Sequence, residues 1–240
     1  MLCIGGLDSS GRAGLTADAW AVWRAGGAPV LIPTALTAQG GRRFSLNPVA
    51  PAVLRAQLSA AVAAGPVHAV KLGMVANRRQ LREICSALKK VRVPWVVDPV
   101  TLTSRGERLS SLTAADYLSL ARPNVWLTPN VAEQEWLRHT PGALVAHGFG
   151  AVLVKGVDLA VDLLVVQQFQ RSFRARPVRR DPTAHRGTGC RLASALATRL
   201  GQGDSPAAAV LRSRRIVLQF LRAPIMRAAS FGRSSIAPGS

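Results

Sequence analysis

The chain has 240 residues, 48% of them hydrophobic, and its 31 lysines and arginines exceed its 12 acidic residues to give a formal net charge of +19. This length and apolar content suit one large α/β domain, and no apolar run is long enough for a transmembrane helix. The N-terminus lacks the pattern of a signal peptide, and the three cysteines are too widely spaced for a metal site or a disulfide framework. We therefore expect a cytoplasmic protein with no membrane partner.

Short apolar strands alternate with helical patterns along the chain. The predicted strands are residues 1–5, 29–36, 68–72, 95–98, 125–128 and 152–155, followed by an antiparallel pair at 163–168 and 170–176. The predicted helices are residues 13–24, 53–64, 79–90, 112–121, 131–138, 193–200 and 206–221. This alternation predicts an α/β fold with a mostly parallel central sheet and helices on both faces.

The predicted domain covers residues 1–222. The remaining residues, 223–240, are rich in alanine, serine, glycine, proline and arginine. Such a composition at a chain end is typical of a segment that packs loosely, so we predict a flexible tail there.

The positive charge raises the question of nucleic-acid binding. Only four of the 31 basic residues are lysines, and the arginines are dispersed rather than grouped on one helix. Aromatic residues make up 5% of the chain and are not interleaved with the basic ones. We predict no nucleic-acid partner and interpret the charge as a compositional bias on a solvated surface.

Acidic residues, which are scarce, gather near the predicted carboxyl ends of the strands, where ligands of such sheets bind. Four of them lie in or just after the loops that follow predicted strands: Asp8, Asp18, Asp98 and Glu133. Their grouping indicates a site that handles protons or magnesium. Each also fits a structural role, Asp8 and Asp98 as turn formers and Glu133 as an acid in the first turn of a helix.

The sequence has two glycine-rich loops. One is the turn Gly187-Thr188-Gly189, which leads into an apolar periodic segment at Cys190. Glycines before a helix leave backbone N–H groups free to bind an anion and keep Cβ atoms out of the way. The other glycine loop, residues 5–14, is neither a Walker loop nor a dinucleotide fingerprint.

Seven segments, taken in order, carry a family resemblance. They are GGLDSSGRAGLTAD (5–18), TALTAQ (34–39), AVKLGMV (69–75), VVDPV (96–100), TPNVAEQEWL (128–137), AVLVKG (151–156) and GTGCRLASALA (187–197). With these motifs the chain resembles the hydroxymethylpyrimidine and phosphomethylpyrimidine kinases of thiamine biosynthesis, in the ribokinase-like superfamily. The resemblance implies a ribokinase-like fold, ATP and Mg²⁺ as cofactors, a small pyrimidine substrate and a homodimer.

The resemblance also assigns roles on the substrate side. It implies that Asp18 and Gln39 hydrogen-bond the aminopyrimidine, that Met74 packs on its face, and that Gly6 and Val100 lie nearby. A loop glutamine is often merely solvated, and a methionine after a strand is often part of the core, so structural roles remain open for Gln39 and Met74.

On the phosphate side, Asn130 and Glu133 match the N-x-x-E motif, which together with Asp98 is implied to organise magnesium and phosphate. Lys155 is implied to lie near the nucleotide phosphates, although a solvated lysine at a strand end is the alternative. We also place Arg186 among the phosphate-binding residues, as a cation beside the glycine turn or a side chain that points to solvent.

Phosphoryl transfer depends mainly on positioning and charge stabilisation, which the N–H groups from Gly187 to Cys190, with Thr188 and Gly189 between them, are implied to supply. Much of the superfamily has an aspartate base at the fourth position of this motif, and the pyrimidine kinases have a cysteine. Cys190 is therefore implied to be the base, with a role in orienting the hydroxyl, or no role beyond starting the helix, as alternatives. A helix N-terminus favours the thiolate of such a cysteine.

The chain departs from the family pattern at several positions. Residues 184–186 are Ala-His-Arg where the family has asparagine-threonine-histidine, and residues 104–106 are Ser-Arg-Gly where it has lysine-serine-glycine. Arg12 replaces a common glycine, and Thr16 replaces a common glutamine.

Together these residues predict an ATP- and magnesium-dependent kinase for 4-amino-5-hydroxymethyl-2-methylpyrimidine, its monophosphate or both. The alternatives are a pyridoxal- or pyridoxine-type vitamin kinase and a pyrimidine-binding regulatory domain with weakened catalysis. The departures at Arg186 and Ser104 motivate the regulatory alternative.

Overall fold

The computed structural model describes residues 1–39, 44–103, 105–158, 161–175 and 185–223. Its strands are β1 (Leu2–Asp8), β2 (Val30–Ala38), β3 (Ser45–Pro48), β4 (Val70–Leu72), β5 (Trp95–Val97), β6 (Val125–Leu127), β7 (Ala151–Asp158), β8 (Val161–Val166) and β9 (Gln170–Arg174). Its helices are α1 (Gly14–Arg24), α2 (Pro51–Ala63), α3 (Arg78–Ala87), α4 (Ala114–Leu118), α5 (Val131–Trp136), α6 (Pro141–Ala146), α7 (Thr188–Gly201) and α8 (Pro206–Arg222). None of the helices in the described part of the chain is both long and apolar enough to span a membrane.

The strands form one sheet in the order β3-β2-β1-β4-β5-β6-β7-β8-β9. Neighbours from β2 through β7 pair in parallel, and β3, β8 and β9 add antiparallel pairs at the two edges. The chain order reverses at β1, which pairs with β2 on one side and β4 on the other. In open α/β sheets ligands bind at such a reversal, beyond the carboxyl ends of the strands.

Helices cover both faces of the sheet, because successive strand residues point to opposite sides. On β5, Trp95 and Val97 belong to the buried core shared with α2 through α6, whereas Val96 belongs to the core shared with α7 and α8. Helix α1 lies on the second face, where Ala21 is buried in one cluster with Ala195 of α7. The predicted mostly parallel sheet with helices on both faces is confirmed.

Two elements were not predicted, and each has a polar or turn-like sequence. Strand β3 reads SLNP and lies at the sheet edge, where a terminal proline is tolerated. Helix α6 begins with Pro141-Gly142, which resembles a turn. Proline suits the first helical position, and the Thr140 side chain caps the helix by accepting from the Ala143 N–H at 3.1 Å.

Helix α7 begins at Thr188, five residues before the predicted start at Ala193. The glycines before Ala193 have low helix propensity, but Gly187 caps the helix in a left-handed conformation with φ of 74°. The antiparallel pair is confirmed as β8 and β9. The predicted tail lies outside the described residues from residue 224 onward.

Candidate active site

A cavity of about 410 Å³ lies at the carboxyl ends of the parallel strands, next to the first turn of α7. Its lining includes every predicted site residue except Asp18 and Asp8: Gly6, Gln39, Met74, Asp98, Val100, Asn130, Glu133, Lys155, Arg186, Gly187, Thr188, Gly189 and Cys190. The parallel sheet brings these distant segments together, because the carboxyl ends of its strands meet at one edge.

One wall of the cavity is apolar. Met74 follows β4 and is buried with Ala35 and Leu109, with Val100 packed against them. A Cβ placed on Gly6 would lie 3.4 Å from the Met74 sulfur, so the glycine allows close packing there. This wall offers an apolar surface of the kind on which a small aromatic ring packs.

Arg186 and Gln39 add polar groups to the lining of the cavity. The Arg186 Nη2 donates to Gln39 Oε1 at 2.5 Å, and its Nη1 donates to the Gln39 carbonyl at 3.4 Å. The Gln39 Nε2 donates to Thr37 Oγ1 at 3.0 Å. Arg186 therefore points into the cavity, not to solvent, and it fixes the orientation of the Gln39 amide.

Asp8 lies beyond this pair. Its carboxylate accepts from Ser10 Oγ at 2.5 Å and from the Ser10 N–H at 3.2 Å, which is the turn-forming role considered for it. The nearest distance from its carboxylate to the Arg186 guanidinium is 4.0 Å.

Asp18 differs from its predicted placement. Its side chain is fully buried beneath the cavity, where both carboxylate oxygens accept from Lys71 Nζ at 2.9 Å and one accepts from Ser194 Oγ at 2.8 Å. Lys71, not Asp18, is the member of this pair that lines the cavity. Burial alone lowers the pKa of Lys71, but Asp18 and then Cys190 and Asp98 raise it above its ordinary value, so the ammonium stays charged.

A second ion pair lies across the cavity. Lys155 Nζ donates to Asp98 Oδ1 at 2.5 Å and lies 3.9 Å from Glu133 Oε2. Burial lowers the pKa of Lys155, but the two carboxylates raise it above its ordinary value. A Cβ on Gly189 would lie 3.3 Å from Lys155 Nζ, which puts the ammonium beside the first turn of α7.

Asn130 and Glu133 cap α5 reciprocally. The Glu133 N–H donates to Asn130 Oδ1 and the Asn130 N–H donates to Glu133 Oε2, both at 2.8 Å. Glu133 is thus an acid in the first turn of a helix, the structural role that the sequence left open, and it also completes a capping box. Burial raises the pKa of Glu133, while Lys155 opposes this shift.

Two glycines beside the cavity, Gly187 and Gly14, lie against backbone carbonyl groups. At Gly187, a Cβ would lie 2.5 Å from the carbonyl oxygen of Arg12, and the residue is left-handed. At Gly14, which has φ of 59°, a Cβ would lie 2.1 Å from the carbonyl oxygen of Gly6. Both clashes are with backbone, so neither position accepts a side chain without movement of a loop.

Cys190 is the third residue of α7, and its thiol lies close to the backbone of Gly14. Burial raises the pKa of this thiol above its ordinary value, and the nearby Lys71 ammonium lowers it in opposition. The helix N-terminus offers N–H groups that have no intrahelical acceptor, so it suits an anion.

Arg191, the residue after Cys190, connects the glycine turn to neighbouring loops and helices. Its Nη1 donates to the carbonyl of Arg12 at 3.1 Å and to that of Arg186 at 2.8 Å. Its guanidinium lies 3.8 Å from the ring centroid of Phe220 in α8 and 5.4 Å from that of Trp20 in α1. The two loops beside the cavity are thereby tied to the helical layer.

The roles of Lys71, Gly14 and Arg191 were not predicted. Lys71 is one of only four lysines and stands inside an apolar strand, which is a signal that it needs a buried partner. The importance of Gly14 and Arg191 depends on contacts between distant segments, which no local pattern reveals. Ser104 lies outside the described residues.

Comparison with known proteins identifies the family. A family model described as phosphomethylpyrimidine kinase matches residues 8–235. The chain belongs to the phosphomethylpyrimidine kinase family. It is 32% identical to a hydroxymethylpyrimidine/phosphomethylpyrimidine kinase of Streptomyces coelicolor, over 90% of this chain and 86% of that protein.

The chain is also 34% identical to the thiamine biosynthesis bifunctional protein ThiED of Geobacter sulfurreducens, over 92% of this chain. It spans about half of that protein, 49% of its length. This family member is therefore similar to one part of a longer relative.

Solved structures agree with the family fold. A phosphomethylpyrimidine kinase of Clostridium difficile superposes with a TM-score of 0.76 at 27% identity, covering 91% of this chain and 97% of that one. A pyridoxal kinase of Staphylococcus aureus in complex with AMP-PCP and pyridoxal superposes with a TM-score of 0.79 at 22% identity, covering 91% of this chain and 86% of that one. The predicted ribokinase-like α/β fold is confirmed.

Proposed function

We propose that the chain transfers the γ-phosphoryl group of ATP to 4-amino-5-hydroxymethyl-2-methylpyrimidine, to its monophosphate, or to both, in thiamine biosynthesis. The observation that carries this proposal is the shared cavity of the α7 glycine turn, Cys190 and Lys155 on one side and Gln39 and Met74 on the other. Phosphoryl transfer needs such a cradle for developing negative charge next to a shaped acceptor pocket.

The nucleotide phosphates would bind at the first turn of α7 and at Lys155. The ammonium of Lys155 and the free N–H groups of the turn would compensate the charge on the γ-phosphoryl as the bond to the leaving oxygen weakens. Asn130 would hold its place in this region through the cap that it forms on α5.

The donor set also fits a magnesium ion. Within the described residues, no group of three or more histidine, cysteine, aspartate or glutamate side chains forms a ready metal cage. Mg²⁺ is usually held by one or two carboxylates together with waters and substrate phosphates, and Asp98 and Glu133 supply that number. When bound, the ion would neutralise phosphate charge and orient the transferring group.

On the acceptor side, the ring would pack on Met74 between Gly6 and Val100, and Gln39 would hydrogen-bond its polar edge. With the hydroxymethyl substrate, the oxygen attacks the γ-phosphorus, its proton passes to the thiolate form of Cys190, and the bond to the β–γ bridging oxygen breaks to release ADP. Asp18 supports this arrangement through Lys71, because the ion pair fixes the ammonium beneath the ring pocket.

A coupled assay of ADP release with Mg²⁺, ATP and the hydroxymethylpyrimidine or its monophosphate tests the proposal. We expect turnover with at least one pyrimidine, and a large loss in Cys190→Ala with the hydroxymethyl substrate. Cys85→Ala is the matched control, because Cys85 lies in α3 on the opposite helical layer. No ADP release with either pyrimidine from folded protein would refute the proposal.

Pyridoxal serves as a third substrate in the same assay, since the pyridoxal kinase fold is shared. A higher kcat/KM for pyridoxal than for both pyrimidines would favour the vitamin kinase alternative. Tight pyrimidine binding without turnover would favour the regulatory alternative. A cytoplasmic location and a homodimer complete the proposal, and sedimentation equilibrium of the purified chain tests the dimer.

A further inference from the structure

The cavity contains three fixed cationic side chains among the described residues, and their charge compensation differs. Lys71 is paired with Asp18 at 2.9 Å, and Lys155 is paired with Asp98 at 2.5 Å. The nearest described carboxylate to Arg186 is that of Asp8, at 4.0 Å. Arg186 thus has the weakest carboxylate compensation of the three.

The guanidinium of Arg186 is also largely removed from water. Its side chain is 12% exposed, and the hydrogen bonds that it donates to Gln39 go to neutral oxygens. A largely desolvated charge whose one described carboxylate partner lies as far away as 4.0 Å is only partly compensated, and an anionic ligand would complete the compensation. Guanidinium groups match phosphate in shape and donor geometry.

The position of Arg186 separates it from the nucleotide side. Its guanidinium lies near the ends of β1 and β2, beside Asp8 and Gln39, whereas Lys155 is held at the end of β5 by Asp98. From the sheet order and a strand spacing of about 4.8 Å, these groups are roughly 10–15 Å apart along the sheet edge. Arg186 also directly precedes Gly187, so it lies between the ring pocket and the phosphoryl cradle.

We propose that Arg186 is a specificity-determining residue that binds the phosphate of the phosphorylated pyrimidine, so that the monophosphate is preferred to the hydroxymethyl compound. This inference rests on the proposed function. A phosphate monoester carries a charge of about −1.5 to −2 near pH 7, enough to compensate the guanidinium. An oxygen of that ester attacks the γ-phosphorus of ATP, the bond to the β–γ bridging oxygen breaks, and the products are ADP and the pyrimidine diphosphate ester.

The test compares wild type, Arg186→Gln and Arg186→Lys with each pyrimidine at saturating ATP and Mg²⁺. Arg186→Gln removes the contact with Gln39 and so should lower kcat/KM for both pyrimidines, but we expect the loss for the monophosphate to be about 10- to 100-fold larger, the effect of losing a charged hydrogen bond. Arg186→Lys should retain part of the preference. Arg24→Gln is the matched control, because Arg24 ends α1 about 15 Å along the helix from Gly14 at the cavity.

Two outcomes with the pyrimidines would overturn the inference: equal losses of kcat/KM on both, or a raised KM for ATP alone. Pyridoxal, which carries an anionic ring oxygen, is assayed beside them, and a selective loss on pyridoxal would also overturn it. Calorimetric binding of the two pyrimidines without nucleotide separates this failure from that of the proposed function. If wild type turns over neither pyrimidine, the proposed function fails, and a weaker binding of the monophosphate alone in Arg186→Gln still supports the role of Arg186. Unchanged binding of the monophosphate in that variant overturns it.

Discussion

Asp18 and Lys71 form an ion pair in which both side chains are almost completely removed from solvent, at 0% and 1% exposure. Asp18 lies on α1, Lys71 on β4, and Ser194 of α7 donates to the same carboxylate. Ser194 is one helical turn after Cys190 and therefore lies on the same face of α7. One buried carboxylate thus fixes a helix, a strand and the helix that carries the proposed base.

Removing one member of this pair is expected to be costly. Lys71→Met leaves the Asp18 carboxylate buried without its cation, which lowers the free energy of unfolding by about 3–5 kcal/mol. The double variant Lys71→Met/Asp18→Leu should be more stable than Lys71→Met alone. Urea unfolding at pH 7 measures both, and Arg55→Met, which breaks the exposed pair with Glu83, should cost less than about 1 kcal/mol. A Lys71→Met cost as small as that of Arg55→Met would contradict the expectation.

Cys190 should matter more for the alcohol than for the phosphate acceptor. An ionised phosphate has no proton to lose, whereas the hydroxymethyl group needs a base, and general bases contribute about 10²- to 10⁴-fold. Cys190→Ala is therefore expected to lower kcat by that factor with the hydroxymethylpyrimidine and by less with its monophosphate. Steady-state kinetics with both substrates measures the difference. Undiminished turnover of the hydroxymethyl substrate would remove the base assignment.

The pH dependence provides a second check on Cys190. Because burial raises the pKa of the thiol above its ordinary value of 9.0, the free enzyme holds it mostly protonated at neutral pH. The rate with the hydroxymethyl substrate should therefore rise with pH up to and beyond pH 9, as the thiolate fraction increases. In Cys190→Asp the carboxylate is ionised at much lower pH, so the rise should disappear. A flat wild-type profile from neutral to alkaline pH would argue for an orienting role.

Gly14 should not tolerate a side chain. Gly14→Ala adds a Cβ to a left-handed residue and drives it against the Gly6 carbonyl, so we expect a loss of roughly 1–3 kcal/mol or more in unfolding free energy. Because the Gly14 backbone contacts Cys190, kcat should fall as well. Gly142→Ala is the matched control, since a Cβ there would meet nothing within 4 Å, and in helix α6 it should lower neither quantity. Thermal unfolding and ADP release report the two effects, and equal behaviour of the two variants would contradict the prediction.

Acid should weaken the contact between Arg78 and Asp116. Hydrogen bonds from Arg78 and Thr113 lower the pKa of Asp116 from 3.8 to about 2, although burial opposes the shift. A lowered folded-state pKa stabilises the fold above the unfolded-state value, and this contribution is lost as pH falls through the folded-state pKa. The stability gap between wild type and Asp116→Asn should therefore shrink between pH 3.8 and about pH 2. Urea midpoints across this range measure it, and a constant gap would count against the ion pair.

The alternation of strands and helices was predictable because each central strand is a short apolar run bounded by turn residues. Trp95-Val96-Val97 illustrates this, since a strand buried on both faces needs no polar alternation. Strand β3 was missed because its polar residues acquire strand structure only by pairing with β2. The early start of α7 was missed because Gly187 and Gly189 disfavour a helix locally, and tertiary contacts override that preference.

Most of the cavity lining followed from the motifs, because a motif that ends a parallel strand is carried to the ligand edge of the sheet. It was harder to predict which side chains reach the cavity and which are buried beneath it. Asp18 and Lys71 are both charged residues near that edge, and only the packing of α1 against α7 decides which of them reaches the cavity. Likewise, the sequence places Arg186 beside the turn but does not show that its side chain reaches Gln39, 147 positions earlier.

The stacking of Arg191 on Phe220 means that the end of α8, although it does not line the cavity, supports the glycine turn. Phe220 lies two residues before the helix ends, yet its ring supports the guanidinium that holds the Arg12 and Arg186 carbonyls. Unwinding the last turn of α8 would remove this support of Arg191 without changing any residue that lines the cavity. We therefore expect a chain truncated before α8 to contain all seven motifs and to lack this support of the glycine turn.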